Sequence, residues 1–190
     1  MAAVETANTT DIVIRTAHPR ETAAVGELTA GAYLADGLLA FGEEDPYLPV
    51  LRDARHRAEH AELLVAVRPS RHGPGGGELL GTVTLAEHGG RYAQVARPGE
   101  GEFRTLAVHP AARGRGVGGA LVRACVERAR ARGLERLVLS SESRMHAAHR
   151  LYGRLGFVRT PERDWQPLPD VLPGVTLLTF ALETGPGALP

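Results

Sequence analysis

The stretch Val108-His-Pro-Ala-Ala-Arg113-Gly-Arg-Gly-Val-Gly-Gly119 decides how this chain is read. It leaves the apolar segment Leu106-Ala-Val108 and enters a helical pattern over 113–132. There Val117, Leu121, Cys125 and Ala129 fall on one face, and Gly133 closes the run. Glycines at such a place let a ligand come close to the backbone. The first N–H groups of the helix have no internal acceptor and point outward. Together with the helix dipole, Arg113 and Arg115, they form a seat for an anion, so the expected ligand carries phosphate. Gly114-x-Gly116-x-x-Gly119 fits the dinucleotide fingerprint letter by letter. That fingerprint, however, follows its strand at once and opens a long βα series. Here His109 to Arg113 intervene, and only about 70 residues follow. No Gly-Lys-Ser/Thr is present, which removes a nucleoside triphosphate P-loop.

Outward from this stretch, strands are expected at 11–16, 63–67, 79–85, 102–108, 137–139, 157–158 and 175–182. Helices are expected from His18-Pro19 onward, with a stripe of Val25, Leu28 and Ala32, and at 50–61, 113–132 and 144–155. Residues 35–49 read as a loop or broken helix. Residues 69–77 read as a Gly/Pro-rich hairpin loop, and 161–174 as a loop holding Trp165. The order describes one mixed α/β domain over 11–184, with tails at 1–10 and 185–190. Its sheet should be mostly antiparallel, with strands 102–108 and 136–140 parallel and splayed apart.

A chain of 190 residues, 43% hydrophobic and 23% charged, has ordinary globular composition. Its single cysteine, Cys125, rules out an internal disulfide and a Cys-rich zinc site. No run of 18 apolar residues offers a membrane span, and Met1–Glu5 does not read as a secretory signal. The expected compartment is therefore the cytoplasm, with neither membrane nor nucleic acid as partner. The net charge is zero but unevenly spread. Residues 101–160 hold 12 Arg and 4 acids, while the rest holds 10 Arg and 18 acids. All 22 basic residues are Arg, a bias that a GC-rich genome also produces. The segregation points to an anionic ligand on one side and a cationic one on the other.

A second segment narrows the choice. Ala148-His-Arg-Leu151-Tyr152-Gly-Arg-Leu-Gly156-Phe157 resembles the Ala-x-x-Leu-Tyr-x-x-x-Gly-Phe motif of the GNAT superfamily of acyl-CoA-dependent N-acyltransferases. Arg113-x-x-Gly116-x-Gly118 resembles that family's Arg/Gln-x-x-Gly-x-Gly/Ala pyrophosphate loop. The resemblance covers about 11–183 in element order and is sharpest over 102–157. It implies acetyl transfer from acetyl-CoA to a primary amine of a small molecule or peptide, by direct attack in a ternary complex and without a metal. It also implies that Gly114, Arg115, Gly116, Val117, Gly118 and Gly119, with Arg113, hold the pyrophosphate. Leu106, Ala107 and Val108 would pair with pantetheine like an added strand. Tyr152 would protonate the departing thiolate, and Glu102 would take the proton of the acceptor, directly or through water. Two family features are missing, since Met145 stands where many members have Asn and Ser140 near where some have Glu. Both absences weigh against acetylation of ribosomal proteins or protein N-termini. Oligomeric state stays open, with a homodimer common among proteins that resemble this one.

Other residues carry less. His56 and His60 have i,i+4 spacing but read as a solvated helix face. His146 and His149 share the helix of Tyr152 and are candidates to line the cofactor site or shuttle a proton. Cys125 reads as a buried thiol rather than a nucleophile. Tyr33, Phe41, Glu43-Glu-Asp45 and Trp165 are candidates for the acceptor side, with Glu43–Asp45 read first as a solvated loop. Two rival functions remain at this stage: an acyl-CoA sensor without turnover and a nucleotide-dependent oxidoreductase.

Overall fold

The computed structural model of the chain describes residues 12–69, 77–167 and 175–185. The N-terminal tail, the hairpin loop over 70–76, part of the loop at 161–174 and most of the C-terminal tail lie outside the described residues. A seven-stranded sheet has the order β1-β2-β3-β4-β5-β7-β6. Its strands are β1 (Val13–Thr16), β2 (Glu62–Pro69), β3 (Gly77–Glu87), β4 (Glu100–Val108), β5 (Arg136–Glu142), β6 (Val158–Arg159) and β7 (Leu177–Glu183). The β4–β5 pair is parallel and every other pair antiparallel. The helices are α1 (Thr22–Ala35), α2 (Leu48–Arg52), α3 (Ala54–His60), α4 (Val117–Ala131) and α5 (His146–Arg154).

Strand β2 shows why the sheet is covered on both faces. Its run Leu63-Leu-Val-Ala-Val67 is apolar throughout, and successive side chains point to opposite sides. Leu64 and Ala66 join the core cluster that contains α4. Leu63, Val65 and Val67 join Val25 of α1 and Ala54 of α3 on the other side. The expected stripe of α4 is buried as read: Val117, Leu121, Cys125 and Ala129 are at most 1% exposed. Helix α1 lies so close to α2 that a Cβ on Gly26 would sit 2.0 Å from the Arg52 carbonyl oxygen.

Two helix boundaries differ from the sequence reading. The helix expected at 50–61 is two short helices, because Asp53 leaves the helical conformation and caps α3, accepting from the His56 N–H at 2.9 Å. The helix expected from Arg113 begins only at Val117. Gly114 and Gly116 take φ of 73° and 82°, which breaks any continuous helix there. The basic segment is also used differently from what its charge implied. Arg113 pairs with Asp36, Arg128 with Glu62, Arg132 with Glu62 and Glu87, and Arg136 with Glu183. Charges segregated along the chain thus join elements that are distant in sequence.

Strand β4 has two irregularities on which the site depends. Its pairing with β5 runs only over Glu100↔Arg136, Gly101↔Leu137 and Glu102↔Val138, after which the strands part. On its other edge the register with β3 shifts between Thr82 and Thr84, so that β4 carries a bulge. Thr105, inside the bulge, has a φ of 49°, unusual for a β-branched residue. Its hydroxyl shares a 2.8 Å hydrogen bond with that of Thr84.

Candidate active site

The parted strands open two connected spaces. The larger, a cleft of about 760 Å³, is walled by Leu106, Ala107 and Val108 of β4, by Gly114 and Gly116–Gly119, and by Ala147, Ala148 and Leu151 of α5. The smaller, a chamber of about 330 Å³, is walled by Arg104 and Thr105 of β4, Ser140 and Ser141 of β5, Tyr47 and Trp165. Tyr33, Leu38, Arg144 and Met145 border both and form the neck between them. Strand β4 therefore passes from chamber to cleft at its bulge, between Thr105 and Leu106.

The cleft is made chiefly of backbone. Gly116, in the left-handed conformation, precedes α4, and the Ala120 N–H is bonded to the Gly116 carbonyl at 2.9 Å. The N–H groups of Val117, Gly118 and Gly119 open α4 and, as the first of a helix, have no acceptor within it. A Cβ on Gly118 would lie 3.3 Å from Leu151 and 3.6 Å from Val108, so a side chain there would project into the cleft. The β5-facing edge of β4 beyond Glu102 has no strand partner. A ligand with a diphosphate at one end and amides along its length fits this arrangement.

The arginines depart from the sequence reading. Arg113 lines the cleft, but its guanidinium spans to Asp36 at the end of α1 through two hydrogen bonds, of 2.6 and 3.0 Å. Arg115 is exposed and does not line the cleft; Arg154 and His146, from α5, do. Position 154 carried no motif signal. It faces the cleft because it lies one helical turn beyond Leu151.

Both expected catalytic side chains are buried. Tyr152 is 3% exposed and packs against Phe103, Phe157 and Phe180, with ring centroids 5.7 to 6.1 Å apart. Burial pushes its phenol well above the usual range, so it holds its proton at neutral pH. It borders neither space directly. Burial raises Tyr33 in the same way.

Glu102 is 1% exposed and also borders neither space. Its Oε2 accepts the N–H groups of Gln94, Val95 and Ala96 at 2.7, 2.7 and 3.1 Å. Its Oε1 lies 3.8 Å from Arg104 Nε. The carboxylate expected to meet an acceptor thus ties down a loop whose Gln94 walls the chamber. Buried Glu100 continues the tie: it accepts the Arg97 N–H at 2.8 Å and two hydrogen bonds from Arg163, at 3.0 and 2.7 Å.

Further polar groups meet at the chamber. Ser141 Oγ and His149 Nε2 share a hydrogen bond of 3.1 Å. Burial lowers the imidazole pKa, which keeps it neutral and able to accept a proton. Trp165 is bridged to Leu177 and donates its indole N–H to Ser140 Oγ at 3.0 Å. Within the acid run Glu43 and Glu44 are exposed, as read. Asp45 is buried, and its carboxylate accepts the N–H groups of Phe41 and Tyr47. Cys125 is fully buried, and desolvation pushes its thiol far up. Among the described residues no group of His, Cys, Asp and Glu is placed to hold a metal ion.

A mixed sheet split between two parallel strands, with a glycine-rich helix start at one end of the split and a side-chain-lined chamber at the other, defines an acyl-group transferase. The chain belongs to the acetyltransferase (GNAT) family, whose model matches residues 31–157. Solved structures with the same fold agree. A phosphinothricin acetyltransferase from Sinorhizobium meliloti, solved in complex with acetyl-CoA, is 18% identical with a TM-score of 0.66. That match covers 92% of this chain and 89% of the other. The ribosomal-protein-S18-alanine N-acetyltransferase from Escherichia coli is 16% identical with a TM-score of 0.64, covering 92% and 95%. The ribosomal-protein-alanine N-acetyltransferase from Brucella melitensis is 20% identical with a TM-score of 0.63, covering 90% and 99%. A search of curated proteins returns no match. Among the described residues no helix is long and apolar enough to cross a membrane.

Proposed function

We propose that this acetyltransferase uses acetyl-CoA as donor and a primary amine as acceptor, joined in a ternary complex. One observation carries the reading: β4 leads from a backbone-lined cleft into a side-chain-lined chamber, and the two meet at one neck. In this reading the amides of Val117, Gly118 and Gly119 hold the diphosphate and the open edge of Leu106–Val108 takes the pantetheine. The thioester lies at the neck. The bulge at Thr105 and Leu106 brings backbone N–H groups toward the carbonyl oxygen, where negative charge develops during attack.

The amine nitrogen forms a bond to the carbonyl carbon and the carbon–sulfur bond breaks. The sulfur leaves as a thiolate that takes a proton from a phenol. Tyr152 is assigned that role; it carries the proton, and burial makes it hold that proton more tightly than an exposed phenol would. The acceptor enters as an ammonium and must lose a proton before attack. Glu102 has one oxygen committed to three amides, so it enters the proposal as a positioning residue. The proton goes to the Ser141–His149 pair, whose serine borders the chamber.

Rate against pH in the wild type, Glu102→Gln and His149→Gln separates these roles. The expected outcome is an acidic limb of kcat/KM that His149→Gln flattens and Glu102→Gln leaves in place. If Glu102→Gln abolishes the limb, the base is the glutamate. Absence of acetyl-CoA binding in a calorimetric titration removes the whole reading.

A further inference from the structure

We propose that the acceptor is an amine that also bears a carboxylate, of amino-acid size, and that Arg104 recognises the carboxylate. This rests on the acetyl-transfer reading above and names the class of acceptor for the same site.

The inference comes from comparing the arginines. Each of the other well-buried ones is served by oxygen acceptors. Arg57 donates through its two terminal nitrogens to the carbonyls of Val50 and Leu51 and to the Thr29 hydroxyl, leaving only its buried Nε without a partner. Arg159 holds Asp164 through two hydrogen bonds and the Thr179 carbonyl through a third. Arg163 holds Glu100 in the same two-pronged way. Arg104 differs. Its side chain is only 20% exposed and borders the chamber, yet it donates no hydrogen bond to any described residue. The nearest carboxylate oxygen is Glu102 Oε1, at 3.8 Å, beyond hydrogen-bond reach. Glu102 offsets the charge of Arg104 but leaves its five N–H donors unserved. Its guanidinium borders the chamber with these donors unused, and its planar fork matches a carboxylate.

The remaining charged groups of the chamber are already engaged. Arg144 is paired with Glu142, and the Asp45 oxygens accept backbone N–H groups. A chamber of about 330 Å³ suits a small molecule rather than a folded substrate. Arg104 stands beside Thr105 and two residues before Leu106, where chamber and cleft meet. An anion held there leaves an amine a few bonds away near the neck.

The test uses L-amino acids, each paired with its amide and its decarboxylated amine, as acceptors for the full chain with acetyl-CoA. The free acid is expected to exceed both partners in kcat/KM by about 10²-fold or more, because a site built to hydrogen-bond a group rejects analogues without it. Arg104→Gln should shrink that ratio to within about threefold, chiefly through KM, and Arg104→Lys should fall between, keeping charge but losing the fork. Acetyl-CoA titration and circular dichroism establish that each variant is folded. Binding is read separately from turnover, because Trp165 is the only tryptophan of the chain and borders the chamber. Its fluorescence should respond to the free acids at concentrations at least tenfold below those needed for the amides. The proposal is overturned if amides or decarboxylated amines are turned over as well as the acids, or if Arg104→Gln keeps the preference. If no amine is acetylated, the acetyl-transfer reading fails, and the Trp165 titration still decides whether the chamber selects a carboxylate.

Discussion

The cleft and the chamber share a neck but are built from different material. The cleft runs past glycines, an open strand edge and the first turn of α4, all main-chain features, with the side chains of Arg113, Leu151 and Arg154 also on its walls. The chamber is walled by the side chains of Tyr33, Tyr47, Arg104, Ser141 and Trp165, from stretches far apart in sequence. Main-chain recognition accepts any residue that permits the backbone path, so it binds a feature common to every donor. Side-chain recognition can change with each substitution, so in the proposed function it carries the choice of acceptor. On the proposed reading, the chemistry shared with the family belongs to the first region and this chain's individuality to the second.

The contrast can be broken most sharply at Gly118. Gly118→Val adds branches toward Leu151 and Val108, and titration calorimetry should show acetyl-CoA affinity falling by about 10²-fold or more, through overpacking and steric exclusion. Next in size is the proposed proton donor. Tyr152→Phe should lower kcat by about 10² with acetyl-CoA affinity unchanged. Tyr33→Phe, at the neck, should cost less than about tenfold; a reversal of the two would move the acid to Tyr33. Glu102→Gln should destabilise the fold by about 1–3 kcal/mol in urea titration, since three amides lose a charged acceptor. Arg113→Ala should weaken acetyl-CoA less than about fivefold, because exposed, paired charges contribute little. A large effect there would mean that side chains, not main chain, grip the diphosphate.

The smallest effect concerns acidity. The hydrogen bond from Arg15 holds the Glu21 carboxyl down to about 2, from an ordinary 4.5. Asp164 is likewise lowered by its hydrogen bonds from Arg159. Both lie below their unfolded values, so the unfolded chain binds more protons between the two. The stability they carry is whole above the ordinary carboxylate range and is lost as pH falls through the folded values. Urea midpoints at pH 7 and pH 3 should differ accordingly, and Arg15→Gln should narrow the difference.

Most of the sheet and the cleft could be read from the sequence because their signals are local. Apolar runs such as Leu63–Val67 announce strands, and Gly114, Gly116 and Gly118 announce a backbone left open. The start of α4 was placed four residues early because Arg113–Gly116 continue a helical polarity pattern while their backbone does not follow it. The role of Glu102 escaped a linear reading because its partners, the amides of 94–96, lie in a loop with no motif. Arg104 did leave a trace. It stands two residues after Glu102, and a strand puts i and i+2 on one side. The chamber as a whole had no signature, since stretches around 33–47, 94, 104–105, 140–145, 165–167 and 175–177 become neighbours only once the chain has folded.

The parting of β4 from β5 has one more consequence. Beyond Glu102↔Val138 the sheet forgoes a row of main-chain pairings in the middle of the molecule, where other strands are zipped on both sides. Until a guest lays its own amides along it, that seam goes without main-chain pairing between β4 and β5. Occupancy should therefore act like a missing strand put back, and amide-proton exchange at 104–108 should slow when desulfo-CoA is added while the paired stretch 100–102 hardly changes.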